Sequence, residues 1–151
     1  SALTGHLVFS TLHTNDAPTA VTRLRDLGVE PFLLAASLRL VAAQRLVRKL
    51  CPACAAPHPD NARLAAEHEC PGAGFRRPVG CAECGGRGYR GRLAVHEAVP
   101  TAALGPALAA NAPMAELRSA VRRAGPVALR RRGLELAARG ATSVEEPLRV
   151  L

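Results

Sequence analysis

The stretch from Gly5 to Ala17, GHLVFSTLHTNDA, joins a short apolar run to a cluster of small polar side chains and a histidine. Leu7-Val8-Phe9 has the unbroken apolar character of a strand covered on both faces. The sequence therefore predicts a strand over 6–12, with a short buried helix as the alternative that periodicity leaves open. Asn15 and Asp16 suit a helix N-cap, Pro18 suits a first helical turn, and Val21, Leu24 and Leu27 recur at helical spacing until Gly28. Strand, polar loop and helix in this order mark an α/β fold. In open sheets of that class ligands gather at the carboxyl ends of strands, where Thr11, His13, Thr14 and Asn15 fall.

Working outward, the pattern predicts one long helix over 31–50, apolar at Phe32, Leu34, Leu38, Val41, Leu46 and Val47. Gln44, Arg45, Arg48 and Lys49 emerge near its end, where cations complement the helix dipole. From Cys51 to Gly91 proline, glycine and cysteine are concentrated, which marks an inserted subdomain with a short helix over 62–68. Residues 89–99 read as a strand or hairpin arm. Helices are expected over 101–110, 114–124 and 127–139, with a last one from Ser143. Ser143 and Glu146 have capping-box spacing, and Pro147 removes a donor one position later, so that helix is short or starts later. Three regions result: 1–50, 51–91 and 92–151.

The cysteines carry the strongest chemical signal. Cys51-Pro52-Ala53-Cys54 is followed after 26 intervening residues by Cys81-Ala82-Glu83-Cys84. Two residues between thiolates let one tight turn present both sulfurs to one ion, and two such turns complete the four-sulfur shell of a structural zinc site. Such a shell leaves no open position for chemistry, but it can hold together a segment with few large apolar side chains. Disulfides would need an oxidising compartment, and an iron–sulfur cluster usually calls for other spacings. Cys70 belongs to neither pair and reads as a loop thiol with no metal role, the alternative being that it, His58 or His68 replaces a ligand.

At 151 residues the chain can bury a real core, and with 3% aromatics that core is built from Leu, Val and Ala. The net charge of +8 is arginine-dominated, with Lys49 the sole lysine. It fits solvated helix faces or an acidic partner better than nucleic acid, because Phe9, Phe32, Phe75 and Tyr89 are scattered and offer no stacking surface. A zinc-ribbon nucleic-acid module remains the reading from another functional class. No run of 18 apolar residues is present and no leader opens the chain, so a cytosolic protein is expected. The abrupt start in a buried-type strand suggests part of a longer chain.

The segments TGHLVFSTLHTNDA (4–17), VTRLRDLGVEPFLLAASLRLVAAQRLVRKLCPAC (21–54), GCAECGGRGYRGRLAVHEAV (80–99) and GATSVEEPLRV (140–150) together resemble the C-terminal part of the type II (general) secretion pathway ATPases, which are similar to the type IV pilus assembly ATPases. The resemblance implies the distal part of a RecA-like P-loop ATPase domain, with a partial sheet, a tetracysteine zinc insert at Cys51, Cys54, Cys81 and Cys84, and a C-terminal helical region. It also implies that His6 and His13 belong to the family's histidine box, with Thr11 beside them at the site of catalysis. One strand with its ends about 20 Å apart cannot aim both histidines at one phosphate, so His6 acts across a subunit boundary or is structural. ATP and Mg2+ are implied for the longer protein, as are a homo-hexamer, inner-membrane platform proteins and peripheral membrane association through them. No phosphate-binding G-x-x-x-x-G-K-[ST] loop and no apolar strand ending in an acidic magnesium ligand occur in these residues, so the chain alone is expected to hydrolyse no ATP. Leu93 and Ala94 depart from the Thr and Gly of the family pattern, and Pro147 from an apolar helix residue.

Overall fold

A computed structural model describes residues 1–125 and 127–151, with Ala103 through its backbone. The chain mixes helices and small sheets and forms two compact units, Ser1–Gln44 with Glu97–Pro126, and Arg45–His96 with Val127–Leu151. The α/β character expected from the sequence is present. Two long strands, β1 (Leu40–Leu50) and β4 (Tyr89–Pro100), pair with one another, and each contributes residues to both units.

The first unit holds α1 (Ala17–Asp26) and α2 (Pro31–Ser37). The Asp16 carboxylate accepts from the Thr19 N–H at 2.8 Å and caps α1, and a Gly28 φ of +85° ends the pattern as the sequence requires. After β4 come a 3-10 turn (Thr101–Leu104), α4 (Gly105–Ala109) and α5 (Met114–Ala124). The helix expected over 101–110 is thus divided: Pro106, with no N–H to donate, stands at the first turn of α4. Ala17 and Val21 of α1, Val41 of β1, Val99 of β4, Leu104, Leu108 and Leu117 form the core, built from small and aliphatic residues.

Two expectations are corrected here. Residues 6–12 form no strand; after a 3-10 turn at Ala2–Thr4 the backbone runs without regular structure to α1. Leu7 is 80% exposed and Phe9 87%. A doubly covered strand needs a hydrogen-bonded neighbour on each side, and the described residues supply none for this run. The helix expected over 31–50 also stops early. The Ser37 hydroxyl donates to Leu33 O at 2.6 Å, Leu38 turns extended with ψ 125°, and the chain continues as β1. Val41 and Ala43 are buried while Leu40, Ala42 and Gln44 are exposed, a period of two that pairing with β4 selects over the helical alternative.

The second unit contains the remainder of β1 and β4, a two-stranded antiparallel pair β2 (Ala56–Pro57) and β3 (Arg76–Arg77), α3 (Asn61–Glu67), α6 (Leu129–Ala138) and α7 (Glu145–Val150). Leu64, Cys70, Phe75, Leu134, Ala137 and Val144 form its core. Gly133 of α6 lies against α7, and a Cβ there would stand 2.5 Å from Pro147 Cβ. Pro147 is therefore a packing surface for α6. The capping box expected at Ser143 and Glu146 does not form. Val144 occupies the N-cap without a side-chain bond, Ser143 Oγ meets Tyr89 Oη at 2.7 Å, and Glu146 turns inward to Arg48.

Candidate metal centre and histidine loop

The two C-x-x-C turns meet where β1 ends and β4 begins. Leu50 ends β1, and Cys51 begins a turn in which Cys54 N and Ala55 N both donate to Cys51 O, at 3.3 and 2.9 Å. Cys81 precedes a 3-10 turn (Ala82–Cys84) that closes with Gly86 N donating to Cys81 O at 2.9 Å, and β4 starts at Tyr89. The Cys51 N–H donates to Gly88 O at 2.9 Å and ties the turns together.

This arrangement brings all four predicted sulfurs within 4.8 Å of one another. Cys51 and Cys81 Sγ are 3.9 Å apart, Cys54 and Cys84 3.9 Å, and Cys81 and Cys84 3.8 Å. A disulfide would need about 2.05 Å. A tetrahedron with metal–sulfur bonds of about 2.3 Å has edges of about 3.8 Å, so the spacing fits one zinc-sized ion. Backbone N–H groups surround the sulfurs: Gly80 donates to Cys54 Sγ at 3.3 Å, while Cys81 and Gly88 donate to Cys84 Sγ at 3.2 and 3.1 Å. Such donors favour the thiolate, the form that binds metal.

The two glycine donors have a steric reason to be glycine. Gly80 has φ +104° and a Cβ there would meet Gly86 O at 2.5 Å; Gly88 has φ +74° and a Cβ would meet Pro78 Cβ at 2.4 Å. The thiols respond unequally to this environment. Burial opposes ionisation at Cys84, but the N–H groups of Cys81 and Gly88 and the neighbouring thiols outweigh it and bring the group down to about 6. Burial, with the other three thiols adding to it, pushes Cys54 up to about 11 despite the Gly80 N–H. One sulfur ionises readily and its neighbour resists. These four residues would hold a divalent cation, whose charge would neutralise adjacent thiolates and remove the conflict.

The alternative ligands lie elsewhere. Cys70 is in the core of its unit and donates to His68 O at 3.3 Å, and His58 Nε2 pairs with Glu145 at 3.6 Å. Neither these residues nor His68 join the four-cysteine group.

The candidate catalytic residues form no comparable cluster. His6 Nδ1 lies 3.0 Å from Thr4 Oγ1 and 3.3 Å from Ser1 O, contacts within its own turn. Thr11 and His13 are exposed in the loop ahead of α1. That loop is fixed at its far end by residues the sequence reading passed over. Glu97 of β4, 8% exposed, accepts from the Ala17 N–H at 3.2 Å. Arg118 of α5 pairs with Asp16 at 3.0 Å. Burial raises the Asp16 carboxyl, but the Thr19 bonds and Arg118 more than offset it, so the group stays below its ordinary value. A period-two count from Val95 and Val99 places Glu97 on the buried face of its strand, which was the available signal.

A second missed set lies in the unit that holds the four-cysteine group. Glu146, 1% exposed, accepts from the Arg48 backbone N–H at 2.9 Å, from Arg48 Nη2 at 2.5 Å and from Arg149 Nη2 at 2.9 Å. The Arg48 guanidinium also stacks on the Tyr89 ring, 4.0 Å from its centroid. Thr142 donates to Arg48 O at 2.7 Å and Leu50 N to Ala141 O at 3.0 Å, so the segment before α7 is joined to the strand that delivers Cys51.

The family model described as "Type II/IV secretion system protein" matches residues 1–149. Type II secretion system protein E of Aeromonas hydrophila is 48% identical over 154 residues, covering 99% of this chain and 30% of that protein. Type IV pilus assembly ATPase PilB of Myxococcus xanthus is 46% identical over 161 residues, covering 97% and 27%. Type II secretion system protein E of Klebsiella pneumoniae is 58% identical over 98 residues, covering 64% and 20%. The chain spans less than a third of the length of these relatives.

Proposed function

From a chain that belongs to the type II/IV secretion system protein family, we infer the distal portion of a motor that uses ATP hydrolysis to assemble a pseudopilus and drive protein export, with one structural zinc at Cys51, Cys54, Cys81 and Cys84. The observation that carries the metal assignment is the four-sulfur group at the edge length of a zinc tetrathiolate. Bound zinc would have a closed shell and cross-link the two turns.

In this reading the exposed Leu7-Val8-Phe9 run is covered by strands from the preceding part of the longer protein, where the phosphate loop and the magnesium ligand reside. His13 then sits at a strand tip and donates to phosphate oxygens or shuttles a proton, Thr11 supplies a hydroxyl beside it, and Asp16, Arg118 and Glu97 hold the loop from behind. His6, held within its own turn, is assigned to a structural or subunit-boundary role. The assembly is a homo-hexamer at the inner membrane that meets platform proteins from the cytoplasmic side. Attachment through those partners is part of this proposal; among the described residues no helix is long and apolar enough to cross a membrane. Pilus assembly is the neighbouring alternative, supported by the PilB relatives.

The test is steady-state ATP hydrolysis by the longer protein that carries these residues. His13→Ala is expected to lower kcat by about two orders of magnitude, the scale of general acid–base contributions. Unchanged kcat would remove His13 from the chemistry. A wild-type protein with no ATPase activity would remove the motor assignment.

A further inference from the structure

The chain carries its positive charge in one place. The metal-bearing unit holds 14 of the 20 arginine and lysine residues but only 7 of the 12 carboxylates, while the other unit holds 6 and 5. A compositional preference for arginine would act on the whole chain alike and leaves this asymmetry unexplained. Even a zinc tetrathiolate, with its net double negative charge, would leave the unit strongly basic.

Within this unit, a cleft of about 290 Å³ runs between β4 and α6. One wall presents Ala94, Val95 and His96, and the other Arg132, Leu136 and Arg139. Arg92, exposed, precedes Ala94 and His96 at period-two spacing and extends the same face of the strand. Among the described residues neither Arg92 nor Arg139 forms an ion pair, whereas most other arginines of this unit are paired with carboxylates or carbonyls. The one carboxylate in the cleft, Glu135, is engaged by Arg132 at 3.2 Å. The result is an apolar floor flanked by Arg139 and Arg92, which form no ion pair among the described residues, and by Arg132, whose one carboxylate partner is Glu135.

We propose that this cleft is a docking site for an extended, carboxylate-rich segment of a partner protein. Charge complementarity selects an anionic ligand, since Arg forks bind carboxylates bidentately and a desolvating wall strengthens each contact. The concave shape, with apolar Ala94, Val95 and Leu136 between the charges, suits an extended chain with alternating acidic and small side chains better than a flat lipid surface. Single-stranded nucleic acid would need exposed aromatic rings to stack on. The two aromatics of this unit are Phe75, 1% exposed, and Tyr89, whose ring face is already covered by Arg48. The site is remote in sequence from the histidine loop and does not depend on the ATPase reading.

The experiment uses the whole chain, zinc-loaded, and a fluorescein-labelled peptide of alternating Glu and Ser, read by anisotropy at low and physiological salt. Salt-sensitive binding is expected, weakened roughly tenfold or more by Arg132→Ala with Arg139→Ala. The equally charge-depleting control, Arg122→Ala with Arg123→Ala in the other unit, is expected to stay within about twofold, as only long-range charge changes there. Because Arg132 also pairs with Glu135, Arg139→Ala alone provides a second reading and is expected to weaken binding about threefold. Glu135→Gln, which removes the carboxylate from the cleft, is expected to tighten binding about threefold. Equal losses from the two arginine pairs, or no salt-sensitive binding, would overturn the proposal. So would phosphatidylglycerol vesicles or duplex DNA binding through Arg132 and Arg139 while the peptide does not.

Discussion

Glu146 is an acid on the buried face of α7, and its ionisation has a direct consequence for stability. Burial works against the charge, yet the Arg48 side chain and backbone, with Arg149, bring the carboxyl down to about 2. A carboxyl whose folded value lies below its ordinary value of about 4.5 stabilises the fold fully above that ordinary value and loses its contribution as pH falls through about 2. Glu146→Gln is expected to cost about 1–2 kcal/mol at neutral pH, because the charge-assisted bonds from Arg48 and Arg149 would weaken while those partly exposed guanidinium groups stay solvated. The difference in thermal midpoint between wild type and variant is expected to shrink as pH is lowered from about 4.5 toward 2, and taking the difference cancels acid release of metal. A gap that does not change with pH would assign Glu146 a packing role only. Glu97 invites a parallel measurement: Glu97→Ala is expected to cost about 1–2 kcal/mol and to speed hydrogen exchange at the Ala17 amide, while Glu97→Gln keeps the acceptor and most of the protection. Residues of this kind were hard to read because their partners lie 80 to 98 positions away in sequence. Asp16, whose cap partner Thr19 is three residues on, was legible.

At the scale of elements, most short-range signals were legible, though the capping box at Ser143 does not form and the helix over 101–110 is divided, while long-range pairing was not legible. Helices α1, α3 and α5 and strand β4 follow from caps, stop glycines and local periodicity. Strand β1 was misread because LVAAQRLVRKL satisfies a helical stripe as well as a period of two, and only its pairing with β4 decides. The run at 6–12 was misread for the converse reason: its composition anticipates neighbours that the described residues lack. The cysteine turns needed no long-range information, since C-x-x-C spacing fixes each half-site and the ion requires both. Their glycines separate two kinds of cost. Gly88→Ala collides with Pro78 and displaces the N–H that serves Cys84, so zinc affinity is expected to fall about 10–100-fold. Gly85→Ala meets nothing within 4 Å and carries only the strain of φ +60°, about 1 kcal/mol, with zinc affinity nearly unchanged. Competitive titration with a chromophoric chelator checks both, and equal affinities would detach the backbone donors from the metal site.

For the molecule as a whole, the two units rest on different physics. The first has a core of aliphatic and small side chains, including Val21, Leu108 and Leu117, each fully buried. In the second, the 51–91 segment contributes few large apolar residues to its core, and the zinc proposed at the four sulfurs would supply the cross-link. Stripping the metal is therefore expected to raise hydrogen exchange across 51–91 and, through the Leu50–Ala141 and Tyr89–Ser143 contacts, over the segment entering α7, while amides at Val21 and Leu117 keep their protection. Metal analysis combined with zinc K-edge absorption on protein purified under reducing conditions tests the four-sulfur centre most directly. One zinc per chain with four sulfur neighbours at about 2.3 Å is the predicted result. A substoichiometric metal content, or a first shell containing nitrogen or oxygen in place of a sulfur, would contradict it.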